Sequence, residues 1–256
     1  GVPISTGPPL KFTFIDLTLT SISPNFGDTT GGSRVTLSLK DNSLKSDVTH
    51  CKFGEVVVPA IGHRSEEVAC VSPPTHGTPQ HIKVGVSVNN GEDFSMSHHR
   101  FEYTKPAEFT SISPSSGSEV GGTIIVLSGS NFVNSNTISC FFGHIESVGR
   151  WMDDENLVCE TPLLEPGSYN VKVSLNGVDV LDSNQMFNVY ARVTALFSLP
   201  SFGKTGGNTT IQVHGTNFRQ EDKLSCRFSG SLQVDARYID SNIIECTTPK
   251  WDTEGH

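Results

Sequence analysis

Apolar and polar residues alternate along most of this chain in short runs, the period-two signature of half-buried strands. Arg34-Val35-Thr36-Leu37-Ser38-Leu39, Thr123-Ile124-Ile125-Val126-Leu127 and Thr210-Ile211-Gln212-Val213-His214 are three such runs. Each follows a glycine pair: Gly31-Gly32, Gly121-Gly122 and Gly206-Gly207. A second kind of run, His81 to Val88 and Tyr169 to Leu175, leads into Asn90-Gly91 and Asn176-Gly177. Asn-Gly is a strong hairpin signal because both residues of the tight turn must accept positive φ. A closing run follows each, Arg100-Phe101-Glu102-Tyr103 and Met186-Phe187-Asn188-Val189-Tyr190. No segment has helical periodicity. Roughly seven short strands per copy, with turns about every 8–12 residues, predict an all-β chain of tandem immunoglobulin-like sandwiches.

The runs belong to a repeat. Ser21-Ile22-Ser23-Pro24, Ser111-Ile112-Ser113-Pro114 and Ser198-Leu199-Pro200 open three copies, whose glycine pairs lie 90 and 85 residues apart. In the second and third copies the strand after the pair ends in Gly129-Ser130-Asn131-Phe132 and Gly215-Thr216-Asn217-Phe218. The first reads Lys40-Asp41-Asn42 and lacks the Phe, so its core must be filled differently. The six cysteines fall in phase: Cys51 and Cys70 are 19 positions apart, Cys140 and Cys159 are 19, and Cys226 and Cys246 are 20. Six cysteines allow 15 pairings. The phasing favours the one in which each copy closes its own loop. Trp151 and Tyr238 each precede the second cysteine of their copy by eight residues, a placement that predicts ring packing against the disulfide.

Alignment of the copies sets expected boundaries. Residues 1–15 read as a leader, with residues 10–15 resembling the closing strand of a preceding repeat. Repeats follow at 16–104, 105–190 and 191–256. The third lacks counterparts of Tyr169 to Leu175 and Met186 to Tyr190. The chain therefore reads as a window on a longer array, with strand addition from another chain as the alternative.

The combination I-S-P-x-x-G with a following G-G, G-x-N-F, C-x-F-G and C-x-T-P, then a Y-x-V-x-V strand and N-G, resembles the IPT/TIG family of Ig-like domains. The likeness is fullest in the second copy, at Pro114, Gly117, Gly121, Gly122, Gly129, Asn131, Phe132, Cys140, Gly143, Cys159, Thr161, Pro162, Gly167, Tyr169 and Val171. Similar domains occur in plexin- and Met-like receptor ectodomains, in fibrocystin-like surface proteins, in intracellular transcription factors and beside some starch-acting catalytic domains.

Charge and cysteine usage choose among these settings. Lys plus Arg number 18 against 27 Asp plus Glu, a net charge of −9 with no basic run, which disfavours nucleic acid. Paired cysteines persist in oxidising compartments, so the chain is expected outside the cell, secreted or in an ectodomain. No cofactor or metal site is expected. The nine histidines are scattered, and His98-His99 point to opposite faces of a strand. His76 and His81 bracket a Gly-Thr-Pro turn and read as a solvated loop. Asp153-Asp154-Glu155 lacks calcium-loop spacing and reads as a solvated turn. No nucleophile-elbow, zincin or phosphate-loop pattern is present, so no catalytic residue is expected. Asn208-Thr209-Thr210 is the single glycosylation sequon.

With copies joined by little more than Thr104-Lys105-Pro106, the expected function is that of a semi-rigid adhesion or spacer segment. Its partners would be a protein or further copies of itself in a larger assembly, and membrane would be met only through parts outside this chain. The alternative is an accessory carbohydrate-binding module of a secreted enzyme, with glycan partners.

Overall fold

The computed structural model describes residues 12–61, 68–75, 77–220, 223–228 and 232–251, without the side chains of Asn42 and Ser46. Most of the expected leader, together with His63, His76 and His256, lies outside these residues. Residues 12–18 belong to no strand, and Phe12 and Phe14 are exposed.

The first repeat contains β1 (Leu19–Ser23), β2 (Phe26–Asp28), β3 (Arg34–Leu39), β4 (His50–Phe53), β5 (Val56–Ile61), β6 (Val68–Val71), β7 (Gln80–Ser87) and β8 (Ser95–Thr104). The second repeats the plan with β9 (Glu108–Ser113), β10 (Ser116–Ser118), β11 (Ile124–Ser130), β12 (Ser139–Phe142), β13 (Ile145–Trp151), β14 (Asn156–Glu160), β15 (Gly167–Ser174) and β16 (Val180–Tyr190). In the third, β17 (Thr194–Leu199), β18 (Thr210–Thr216), β19 (Ser225–Phe228), β20 (Leu232–Asp240) and β21 (Ile243–Thr247) are described. By backbone proximity the chain groups into two compact units, Gly1–Ser115 with Ile124–Glu160 and Asn170–Met186, and Ser116–Thr123 with Thr161–Tyr169 and Phe187–His256.

One strand in each repeat belongs to both layers of the sandwich. The first half of β5 pairs with β4, from His50↔Pro59 to Phe53↔Val56, and its end pairs with β6 at Ala60↔Cys70 and Ile61↔Ala69. Strand β13 changes partner at Gly149 and β20 at Ala236. At each change of partner the amide of the small residue donates to a carbonyl two residues before the first cysteine: Ala60 to Thr49, Gly149 to Ile138 and Ala236 to Leu224, all at 2.9 Å.

The alternation read from sequence is the burial pattern. Val35, Leu37 and Leu39 of β3 are buried, and their partners across the sandwich are Val84 and Val86 of β7 and Phe101 and Tyr103 of β8. Removing such aliphatic and aromatic side chains from water contributes about 1.5–3 kcal/mol each. Rings of Phe53, Phe101 and Tyr103 meet edge to face at 5.6 and 5.0 Å. Where the second and third copies insert Phe132 and Phe218, the first has a 3-10 turn at Asn42–Asp47 that packs Leu44 against the core.

Turns match the expectation once and depart from it twice. Asn90 and Gly91 both take positive φ, 60° and 86°. At Asn176-Gly177 only the glycine does, because the Asn176 side-chain oxygen accepts from the amides of Val178 and Asp179 and makes an Asx turn. In the third repeat the residues equivalent to Gly31-Gly32 and Gly121-Gly122 are Gly207-Asn208, one position beyond the glycine pair.

Candidate functional site

Each disulfide ties the two layers of its repeat together. Cys51 of β4 is joined to Cys70 of β6, Cys140 of β12 to Cys159 of β14, and Cys226 of β19 to Cys246 of β21, all with Cα–Cα 6.3 Å. All six cysteines are paired. The residue opposite the second cysteine is small in every copy: Ala60, Gly149 and Ala236. A Cβ on Gly149 would fall 2.4 Å from Ile138 Cγ2 and 2.9 Å from Cys140 Sγ. Sequence placed Trp151 and Tyr238 against the disulfides, but the register sets them one pair further along the same face, opposite Leu157 and Ile244. Trp151 is 37% exposed, and its indole N–H donates to the Phe132 carbonyl at 3.0 Å. The small residue ten positions before the second cysteine was a legible signal that sequence reading passed over.

Charged side chains are dispersed. His81 and Glu102 are 3.9 Å apart on an exposed surface, His98 is exposed and His99 half-buried. Among the described residues no three His, Cys, Asp or Glu side chains converge to hold a metal. Asp153 accepts from the Glu155 amide and from Asn156 Nδ2, both at 2.9 Å, so this carboxylate organises its own turn. Asp182 is held down to about 2 by the Lys172 ammonium, aided by the Asn184 amide and Asn170.

Side chains also secure the ends of the repeats, within each compact unit. In the first, Asn176 Nδ2 donates to the Phe26 carbonyl at 3.0 Å and to Asp179 at 2.8 Å, while Ser33 Oγ donates to Asp179 at 2.5 Å. Asn131, in the left-handed region at φ 58°, donates from Nδ2 to the Pro106 carbonyl at 2.9 Å. The second unit repeats the device: Asn217, at φ 62°, donates to the Arg192 carbonyl at 2.9 Å. The Arg192 amide donates to Glu119 at 2.9 Å, and the Arg219 guanidinium lies 3.7 Å from the centre of the Tyr190 ring. The asparagine of G-x-N-F therefore holds the segment that enters its own repeat. Asn208 is exposed, and its amide donates to the Thr248 carbonyl at 2.9 Å.

The IPT/TIG domain model matches residues 17–103, 107–189 and 191–256. The chain belongs to the IPT/TIG domain family. It is 29% identical over 182 residues to fibrocystin-L of Mus musculus, covering 69% of this chain and 4% of that protein. To plexin-A2 of Homo sapiens it is 24% identical over 250 residues, covering 92% of this chain and 13% of the plexin. The extracellular region of plexin A4 shares the fold, with TM-score 0.50 and 17% identity over 94% of this chain and 22% of that one. This chain thus spans a small part of the relatives it matches. With three disulfides and these relatives, it is an extracellular or cell-surface segment.

Proposed function

We propose that this chain is a non-catalytic binding and spacing segment of a larger surface receptor or adhesion protein, a semi-rigid array of IPT/TIG domains that engages protein partners through sheet edges and loops. The observation that carries this reading is the pair of linker clamps, Asn131 to the Pro106 carbonyl and Asn217 to the Arg192 carbonyl. A flexible tether has no use for a side chain that holds its backbone in place, whereas a spacer does. The plexin and fibrocystin-L relatives support the receptor setting, and the acidic balance supports a protein partner over nucleic acid.

NMR relaxation on the whole chain tests the spacing role. The three repeats are expected to share one rotational correlation time, and Asn131→Ala with Asn217→Ala is expected to separate them. Independent tumbling of the wild-type repeats overturns the reading. A glycan array tests the binding role. A specific signal abolished by Trp151→Ala or Trp251→Ala would replace protein recognition with carbohydrate recognition. The engagement of the Trp151 N–H by the Phe132 carbonyl supports a blank array.

A further inference from the structure

We propose that Asn208 carries an N-linked oligosaccharide. Asn208-Thr209-Thr210 is the only Asn-x-Ser/Thr sequence in the chain. Four other asparagines take left-handed φ, Asn90, Asn131, Asn184 and Asn217, and none has Ser or Thr two residues on.

The same turn recurs in all three repeats. Gly31, Gly121 and Gly207 have φ 75°, 77° and 73°, and their amides donate to the carbonyls of Asp28, Ser118 and Lys204. A Cβ on any of them would strike backbone at 2.6–2.7 Å. That first position must be glycine. The second position is Gly32, Gly122 and Asn208, with φ 92°, 76° and 62° and amides donating to Ser72, Thr161 and Thr248. A Cβ on Gly32 would meet nothing within 4 Å. The third position, Ser33, Thr123 and Thr209, packs over Gly27, Gly117 and Gly203.

Asparagine thus replaces glycine at a left-handed position of this turn from which a side chain leaves into open space. Left-handed backbone costs any residue more than glycine, asparagine less than most, so the substitution is tolerated without stabilising the turn. Asn208 is exposed, and its carboxamide bonds to no described residue. Thr210, the hydroxyl-bearing member of the sequon, is also exposed, at the first residue of β18. In the attachment step Nδ2 of Asn208 loses one hydrogen as a proton and bonds the anomeric carbon of a lipid-pyrophosphate-linked oligosaccharide. The bond from that carbon to the pyrophosphate breaks, and the lipid pyrophosphate leaves.

The inference rests on the extracellular placement of the chain. It is tested on the whole chain secreted from cultured animal cells, by intact mass before and after peptide:N-glycosidase F. Wild type is expected to lose one glycan, with Asn208 converted to Asp. Thr210→Ser is expected to keep the glycan and Thr210→Ala to lose it. Asn208→Gly restores the residue of the other two turns, so it is expected to secrete and fold as wild type while lacking the glycan. Secreted, fully disulfide-bonded wild type with a bare Asn208 overturns the inference and leaves the placement standing. Failure of the wild type to secrete, with six free thiols, overturns both.

Discussion

Gly149 and Trp151 lie two residues apart on one face of β13. Parity puts every second residue on the inner face, so residues eight and ten before a cysteine are equally good candidates to face it. Only the register decides, and it sets Gly149 opposite Cys159. Gly149→Val is accordingly expected to destabilise the chain by about 1–3 kcal/mol through overpacking against Ile138 and Cys140, read from denaturant midpoints. Unchanged midpoints would show that the crossover has slack. Tyr103 is buried, its hydroxyl donates to the Pro73 carbonyl at 2.7 Å, and burial pushes its pKa up to about 12 from 10.0. The unfolded chain releases this proton first as pH rises. Stability contributed by Tyr103 is therefore complete below pH 10 and is lost as pH climbs towards 12, by about 2–3 kcal/mol in all. Tyr103→Phe is expected to flatten that part of the stability profile, and an unchanged slope would assign it to other groups.

At the scale of elements, most of the strand plan was open to reading because half-buried strands impose their period on the sequence. Turn details were not, since an Asn or Gly states which φ is permitted and not which is used. Gly206 stands beside Gly207 like the pairs of the other copies, yet the turn is built on Gly207 and Asn208. Asn176 looked like a tight-turn residue and instead uses its side chain to form the turn. The spacing of 20 in the third cysteine pair also has a local origin. Two residues separate Phe53 from Val56 and Phe142 from Ile145, whereas three separate Phe228 from Leu232. The extra residue thus enters before β20 changes partner, and Ala236 keeps its place opposite Cys246. Leu44 replacing Phe132 in the first core was beyond reach, because a 3-10 turn has no counterpart in the other copies to align with.

For the molecule as a whole, the second and last strands of each of the first two repeats meet in an unusual way among these largely antiparallel sheets. Strand β2 runs parallel to β8, Phe26↔Glu102 to Asp28↔Thr104, and β10 runs parallel to β16, Ser116↔Asn188 to Ser118↔Tyr190. Pulling on the two ends of such a repeat drags the paired strands past one another, so their hydrogen bonds are loaded together in shear and do not unzip singly. Each disulfide then locks 19 or 20 residues out of the extension that follows rupture. In single-molecule pulling, reduction is expected to lengthen each unfolding step by about 60 Å, the extended reach of that loop less the span it already bridges. Equal step lengths with and without reductant would show that the loops lie outside the force path. A surface segment of this construction would bear load as a series of stiff releases, each domain letting out less chain than it would without its disulfide before the next must yield.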